Sequence, residues 1–211
     1  MKILFGGTFD PIHIGHIQLA RYVSQQFKHP VSLLPLTGVP NYKQPPQASL
    51  QQRLAMLEIV AAKYPDEIQI DYSETQLTEY SPTVTTLRRM RQNELIPEII
   101  YFVIGGDSLV TLDIWDEWRD LLKLTNFLVA MRPDYPLSKM SPQLAQELLP
   151  RINTTTSAIN AVGEIIITHF TPLEVSSTQI RQFCYLGQEI NQLVEAEINH
   201  YITQNNLYKG K

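Results

Sequence analysis

The segment from residue 6 to residue 16 holds the side chains in this chain that are best suited to chemistry. It reads Gly-Gly-Thr-Phe-Asp-Pro-Ile-His-Ile-Gly-His and follows a short apolar run that ends at Phe5. Glycine lets a backbone approach a ligand closely, and the start of a helix presents N–H groups and the positive end of a dipole. The pattern therefore predicts a phosphate-binding loop where a strand turns into a helix.

Two histidines of this segment, His13 and His16, are three residues apart. If the helix has begun by Ile12, both imidazoles lie on one face beside the positive end of the helix and can donate to phosphate oxygens. The alternative, in which both are surface or capping residues at a helix start, is disfavoured by the neighbouring glycines. Two histidines at this spacing without a third ligand do not predict a zinc site, and we expect no protein-bound metal.

A second helix start, from Val175 to Arg181, carries three consecutive hydroxyl side chains and then an arginine. Ser176, Ser177 and Thr178 can cap the helix or donate to phosphate oxygens, and Arg181 offers a bidentate fork within one turn. Capping is the common role of such a run when it stands alone. Beside the first loop, a second anion-binding element is the favoured interpretation.

Short apolar runs alternate with stretches of helical periodicity along the chain. Because the runs are apolar throughout, they indicate a parallel sheet covered by helices on both faces, which is a doubly wound α/β fold. Ligands bind such sheets beyond the carboxyl ends of the strands. The predicted strands are Ile3 to Phe5, Val31 to Leu36, Ile68 to Tyr72, Ile99 to Ile104, Phe127 to Met131 and Ile165 to Thr168, and the predicted helices are Ile14 to Phe27, Leu50 to Lys63 and Thr83 to Asn93.

Residues 1–211 are predicted to form a single domain, because the chain contains no repeat, no low-complexity tract and no charged linker. The segment from Pro133 to Pro150 is predicted to be an irregular insertion. Residues 176–211 are predicted to form a small C-terminal helical subdomain with a break near Gly187.

Composition limits the classes of function. The chain is 44% hydrophobic and 18% charged, as in soluble globular proteins, and its net charge of -4 gives no broad attraction to nucleic acid or anionic lipid. Arg88, Arg89 and Arg91 are interpreted as a solvated helix face. The lone Cys184 forms no intramolecular disulfide, and no apolar stretch approaches the roughly 20 residues of a membrane span. We expect a cytoplasmic protein without nucleic-acid or membrane partners, and leave its oligomeric state open.

Both helix starts resemble the signatures of the nucleotidylyltransferase superfamily. The His-x-Gly-His element of that superfamily binds ATP phosphates, and residues 175–181 resemble its Ile-Ser-Ser-Thr-x-Ile-Arg motif, with Val175 at the first position. The resemblance covers the chain from Lys2 to about Arg181 and implies a Rossmann-like sheet. It implies catalytic roles for His13, His16 and Arg181, and ATP-binding roles for Gly6, Gly7, Thr8, Phe9, Gly15, Ser176, Ser177 and Thr178.

The middle of the chain resembles the nicotinate-nucleotide branch of that superfamily. There Gly105 and Asp107 correspond to residues at the adenosine ribose, and Trp115 to a tryptophan that stacks on the pyridine ring. Without the resemblance, we would assign both Trp115 and Trp118 to core packing, and Trp118 is also a substitute candidate for the stacking role.

Two further segments resemble that branch but depart from its usual residues. Lys43 corresponds to a catalytic basic residue that is carried toward the phosphates, although Tyr42 stands where histidine is common. Thr83 and Thr85 lie in a segment that helps to hold the pyridine nucleotide. In that segment Pro82 replaces the usual tyrosine, and Thr85 itself replaces the usual aspartate.

The resemblance implies transfer of the adenylyl group of ATP to nicotinate mononucleotide, with release of pyrophosphate. The 5'-phosphate of the mononucleotide is already an anionic nucleophile, so the protein needs only to align the reactants and neutralise charge. Mg²⁺ is expected to arrive with ATP. The alternatives are nicotinamide mononucleotide or phosphopantetheine as the acceptor, and a nucleotide-sensing module without turnover.

A class I aminoacyl-tRNA synthetase is the main rival outside the superfamily, because residues 13–16 also match its His-Ile-Gly-His tetrapeptide. Lys139-Met140-Ser141 superficially resembles the second signature of those enzymes, but Pro142-Gln143 follows it rather than Lys-Ser. A chain of 211 residues also leaves little room for an anticodon-binding domain. This rival is therefore disfavoured. Within the superfamily, a cytidylyltransferase is also disfavoured, because its first loop would differ after the aspartate.

Overall fold

A computed structural model of the chain describes residues 1–38, 44–77, 79–92, 99–131, 133–153 and 162–210. Those residues contain seven β-strands and eight α-helices, joined in places by short 3-10 turns. The strands are Lys2–Gly7 (β1), Val31–Pro35 (β2), Ile68–Ile70 (β3), Ile100–Gly105 (β4), Asn126–Ala130 (β5), Ile152–Asn153 (β6) and Ile165–Ile167 (β7). The helices are Ile14–Phe27 (α1), Leu50–Lys63 (α2), Thr83–Gln92 (α3), Gly106–Val110 (α4), Trp118–Leu124 (α5), Pro142–Leu148 (α6), Ser177–Tyr185 (α7) and Ala196–Gln204 (α8).

The chain divides into two compact units. The first comprises Met1–Gly6 and Ser81–Pro172, and the second comprises Gly7–Tyr80 and Leu173–Lys211. In the first unit the strands pair in parallel in the order β1, β4, β5, β7, β6, and in the second unit β2 pairs in parallel with β3. Parallel strands with flanking helices make this a Rossmann-like α/β fold, as predicted. The single domain over residues 1–211 stays a prediction.

Burial of whole strands explains why their sequences do not alternate. All five residues of β2 are buried, as are all five of β5 and five of the six in β4. A strand that is covered on both faces has no solvent side, so apolar residues occupy consecutive positions. The apolar runs therefore located the strands well, and the short β6 was the strand they missed.

Helices α1 and α2 have the bounds that their periodicity predicts. Helix α2 begins with a capping box, in which the Ser49 hydroxyl accepts from the Gln52 amide and the Gln52 side chain accepts from the Ser49 amide.

No helix in the described ranges is both long and apolar enough to cross a membrane.

The irregular insertion predicted for residues 133–150 is wrong in part, because helix α6 lies within it. The Ser141 hydroxyl accepts from the Leu144 amide, and Pro142 occupies the first helical position. Proline is favourable there because the missing N–H would have had no helical partner. Pro142 therefore begins a helix within the segment that was predicted to be irregular.

The C-terminal helical part of the second unit consists of α7 and α8, and residues 186–195 separate them. Gly187 lies in this break with φ of +68°, which confirms the interruption predicted there. The C-terminal part is attached to α2 by Lys63, whose ammonium lies 2.8 Å from Glu195 and 2.9 Å from Glu197. The Tyr64 hydroxyl also donates to Glu195 at 2.7 Å.

Candidate active site

Helix α1 starts at Ile14, and His13 is its N-cap residue in an extended conformation. The Nδ1 atom of His13 accepts a long hydrogen bond of 3.4 Å from the His16 amide. The two imidazole rings stack with centroids 3.7 Å apart and planes inclined by 23°. The helix begins after Ile12, so the condition set for the histidine pair is not met. The two imidazoles nevertheless form the predicted pair, because an N-cap residue faces the residue three positions later.

The amides at the start of α1 are already used within the protein. The Ile14 amide donates to the Leu193 carbonyl at 3.0 Å, and the His16 amide donates to His13. These two amides therefore already have acceptors within the protein, and phosphate binding at this helix start stays a prediction.

Close packing explains three of the glycines of the first loop. A Cβ on Gly6 would lie 2.7 Å from the Phe102 ring, and one on Gly7 would lie 2.8 Å from the Phe9 ring. A Cβ on Gly15 would lie 2.9 Å from the Cγ1 atom of Val175. The protein's own side chains thus occupy the space that these glycines leave, and ATP binding by them stays a prediction.

The start of α7 meets the first loop inside the second unit. The Ser177 hydroxyl donates to the Pro11 carbonyl at 2.9 Å, and Nη1 of Arg181 donates to the Asp10 carbonyl at 2.6 Å. Nη2 of Arg181 also donates to the Thr178 hydroxyl at 3.1 Å. Ser176 is the N-cap and accepts from the Gln179 amide. The run of hydroxyls therefore caps the helix and also joins the two predicted anion-binding segments.

Asp10 is the residue at which these segments meet, and the sequence analysis did not single it out. Its side chain is 5% exposed and accepts from the amides of Gln47 and Ala48 at 2.8 and 3.0 Å. It also accepts from the Tyr208 hydroxyl at 2.8 Å, and Arg181 lies 3.8 Å from it. The aspartate was visible within the loop motif, but nothing local identifies partners up to 198 residues away.

Arg53 is a second residue that the sequence analysis missed. It is 1% exposed, and its guanidinium donates to the carbonyls of Thr8 at 2.7 Å and Leu36 at 2.9 Å. Burial lowers the pKa of Arg53, and the charge of Asp10 opposes that effect. An arginine on an amphipathic helix is usually read as solvent-facing, so the sequence carried no signal of this role.

Aromatic packing fixes the position of His16 relative to the loop. The ring of Phe9 meets the His16 ring edge to face, with centroids 5.2 Å apart. Phe9 is 2% exposed and adopts a positive φ of 50°, which is uncommon for a bulky residue. The site therefore presents a histidine pair and the Arg181 guanidinium on elements that hydrogen bonds and packing hold in place.

In the first unit, Asp107 lies at the start of α4, directly after β4. Gly105 is the N-cap of this helix, and a Cβ there would lie within contact distance of the Asp107 carboxylate. The Asp107 side chain is exposed, while its carbonyl accepts from the Thr111 hydroxyl at 2.8 Å. A carboxylate on a strand-to-helix turn suits a ribose hydroxyl, and that role stays a prediction.

The two tryptophans of the first unit have different environments. Trp118 is 7% exposed and begins α5, with the Arg119 guanidinium 4.3 Å from its ring centroid. Trp115 is only half-buried and meets Phe102 edge to face at 6.4 Å. The preference for Trp115 as the ring available for stacking is consistent with its greater exposure.

Helix α3 carries the remaining predicted residues of the first unit. Thr83 begins the helix, and Thr85 is exposed. Arg88 pairs with Glu117 and Asp120, and Arg91 donates to the Leu124 carbonyl at 2.6 Å. These two arginines therefore have acidic or carbonyl partners, in line with a structural role. Lys43 lies outside the described residues.

Comparisons with known proteins place the chain in a family. A model of the cytidylyltransferase-like family matches residues 4–183. This chain belongs to the cytidylyltransferase-like family. Its relatives include the probable nicotinate-nucleotide adenylyltransferase of Shewanella pealeana, which is 34% identical over 100% of this chain and 97% of its own length. The protein of the same name from Yersinia pestis is 35% identical over 98% of this chain and 94% of its own length.

Solved structures show the same fold at lower identity. Plasmodium falciparum nicotinic acid mononucleotide adenylyltransferase complexed with NaAD matches with a TM-score of 0.75 and 21% identity, over 99% of this chain and 98% of that chain. The same protein complexed with APC matches with a TM-score of 0.72 and 20% identity, over 98% and 96% of the two chains. The Rossmann-like fold is therefore shared with a nucleotide-bound enzyme.

Replacing Arg53 by methionine tests the role of the buried guanidinium. The substitution leaves the carbonyls of Thr8 and Leu36 without these donors, so we expect the free energy of unfolding to fall by about 1–3 kcal/mol. Urea unfolding measures this change, with Gln51→Met at an exposed position of the same helix as the control. Equal stability of Arg53→Met and the wild type would show that apolar packing replaces the buried charge without loss.

Proposed function

We propose that this protein transfers the adenylyl group of ATP to nicotinate mononucleotide, forming nicotinate adenine dinucleotide and pyrophosphate. One observation carries the proposal: the start of α7, with Arg181 and Ser177, is bonded to the loop that leads to the histidine pair at α1. Relatives named nicotinate-nucleotide adenylyltransferase, 34–35% identical over almost the whole chain, support the choice of acceptor.

The proposed reaction is an in-line displacement at the α-phosphorus of ATP. An oxygen of the mononucleotide 5'-phosphate forms a bond to the α-phosphorus, and the bond from that phosphorus to the bridging oxygen of the β-phosphate breaks. The electron pair of the broken bond leaves with pyrophosphate. The attacking oxygen carries no proton that must be removed, so no general base is required.

The groups proposed to stabilise the transition state are His13, His16, Lys43 and Arg181. The amides of Ile14 and His16 already have acceptors within the protein, which supports proposing side chains for this work. Arg181 is half-buried and held at the Asp10 carbonyl, so its position is set before ATP arrives. A donor that is fixed in advance needs little reorganisation during the reaction, which is the basis of electrostatic catalysis.

Mg²⁺ is proposed to enter as part of the ATP complex, since this ion favours phosphate oxygens and water. In the acceptor site, Trp115 is proposed to stack on the pyridine ring. Thr83 and Thr85, which follow Pro82 in the sequence, are proposed to help hold the mononucleotide. Asp107 and Gly105 are proposed to contact the ribose of ATP. We further propose a cytoplasmic location, on the ground that the one cysteine of the chain, Cys184, cannot form an intramolecular disulfide.

A panel of acceptors tests the proposed reaction directly. Purified protein is supplied with ATP and Mg²⁺ together with nicotinate mononucleotide, nicotinamide mononucleotide or phosphopantetheine, and pyrophosphate is measured over time. We expect nicotinate mononucleotide to have the highest kcat/KM. A higher kcat/KM with one of the other acceptors would reassign the substrate, and ATP binding without pyrophosphate release from any of them would indicate a nucleotide sensor.

Replacing His16 by alanine tests the histidine pair. We expect kcat to fall by about a hundredfold or more, the scale seen when one transition-state donor is removed, while the fold persists. His200→Ala, at an exposed position of α8, serves as the control and should retain wild-type kcat. A His16→Ala variant with an unchanged rate would remove this residue from the mechanism.

Replacing Trp115 by alanine tests the acceptor site. Loss of a stacking partner should raise KM for the mononucleotide by about tenfold and leave KM for ATP nearly unchanged, whereas Trp115→Phe should retain most of the binding. Steady-state kinetics with each substrate varied in turn provides the measurement. An equal rise in both KM values would assign Trp115 to packing against Phe102 instead.

A further inference from the structure

Tyr208 lies close to the end of the chain, yet its hydroxyl reaches the first loop of the second unit. The hydroxyl donates to Oδ1 of Asp10 at 2.8 Å, and both side chains are nearly buried, with 7% of Tyr208 and 5% of Asp10 exposed. Burial, followed by the charge of Asp10, raises the pKa of Tyr208. The phenol therefore remains a hydrogen-bond donor throughout the working pH range of an enzyme.

The backbone near Tyr208 is held in an unusual conformation. Tyr208 has φ of +61°, in the left-handed region that bulky residues seldom adopt, and Asn206 has φ of +50°, which asparagine adopts more readily. Between them, Leu207 is buried, and its amide donates to the Ile202 carbonyl at 3.0 Å. Such conformations persist only where surrounding contacts determine them, so this turn is built to deliver the Tyr208 ring to Asp10.

Asp10 passes this constraint to two other segments. Its carboxylate also accepts from the Gln47 and Ala48 amides, next to the start of α2, and its main-chain carbonyl accepts from Arg181. A carboxylate shared by three donors, the Gln47 and Ala48 amides and the Tyr208 hydroxyl, can rotate only if several of them move together. The Tyr208 hydroxyl thus limits the orientation of Asp10, and Asp10 limits the backbone position to which Arg181 is bonded.

We propose that Tyr208 is a positioning residue of the nucleotide site, acting through Asp10 to hold the first loop and Arg181 in the geometry that binds the ATP phosphates. It touches no reacting atom and is not a catalytic residue. The inference rests on the proposed function for the identity of the nucleotide. Its test therefore uses ATP binding without an acceptor, so that it does not depend on the transfer reaction.

The experiment compares Tyr208→Phe with the wild type. Phenylalanine keeps the ring and its packing and removes only the hydroxyl. We expect the Kd of ATP with Mg²⁺, measured by calorimetry, to rise about tenfold, because small displacements of phosphate-binding groups are costly. In steady-state kinetics, KM for the mononucleotide should change less than twofold.

A matched control is available in Tyr64→Phe. Tyr64 also donates its hydroxyl to a carboxylate of the C-terminal part, Glu195 at 2.7 Å, but the bond lies away from the first loop. The control should lower the melting temperature about as much as Tyr208→Phe and leave the Kd of ATP within twofold of wild type. If Tyr208→Phe also leaves that Kd within twofold, Tyr208 has a stabilising role only and the proposal is overturned.

A double-mutant cycle tests whether Tyr208 acts through Asp10. Asp10→Ala removes the acceptor, so adding Tyr208→Phe to it should alter the Kd of ATP less than twofold further. A further tenfold rise would show independent effects and overturn the coupling. If Asp10→Ala does not fold, the comparison of Tyr208→Phe with Tyr64→Phe still decides the proposal.

The outcomes also separate this inference from the proposed function. If the wild type binds ATP but releases no pyrophosphate with nicotinate mononucleotide, the proposed function fails, and the Kd comparison still judges Tyr208. If the wild type transfers the adenylyl group and Tyr208→Phe binds ATP normally, the function stands and the positioning role fails. Absence of ATP binding by the wild type overturns both.

Discussion

The structure of the second unit depends on satisfying one buried carboxylate. An aspartate that is 5% exposed is costly to ionise unless donors surround it, and Asp10 obtains them from segments that are far apart in the sequence. The amides before α2, the Tyr208 hydroxyl and Arg181 must therefore converge on the loop after β1. The same convergence brings Arg181 to the loop that leads to the histidine pair.

The two guanidinium groups that contact this loop differ in their exposure to solvent. Arg53 is buried beneath the Thr8 carbonyl, whereas the Arg181 side chain keeps part of its surface exposed beside Thr178. One guanidinium therefore supports the backbone, and the other is able to meet an incoming anion. Since the chain is acidic overall, with a net charge of -4, an anion proposed to bind here would be attracted by this local charge and not by the molecule as a whole.

The sequence predicted the elements better than it predicted the contacts between them. The bounds of α1 and α2 follow from helical periodicity, and the buried strands follow from apolar runs, because both signals are local. Helix α6 was missed because the segment from Pro133 to Pro150 was predicted to be irregular, whereas Pro142 occupies a first helical position. The predicted start of α1 at Ile14 is confirmed, but the sequence did not show that His13 is its N-cap, because a capping imidazole is not distinguishable from a helical one by spacing.

The residues of the candidate site are likewise of two kinds, those that a local motif identifies and those that only contacts of the fold identify. The histidine pair, the run of hydroxyls and Arg181 belong to contiguous motifs, and the structure brings the loop of one motif to the helix of the other. Asp10, Arg53 and Tyr208 act through partners that only the fold supplies, so no spacing rule identifies them. Whether glycines serve packing or a ligand likewise depends on neighbours such as Phe9 and Phe102.

The unequal burial of the two tryptophans has an optical consequence. Trp118 is shielded from solvent and has a guanidinium over its ring, whereas Trp115 keeps an accessible edge. These are the only indoles in the chain, so any emission change that an aromatic ligand causes by direct contact reports on Trp115. The molecule thus contains its own fluorophore for detecting an aromatic ligand at this exposed indole, without a label.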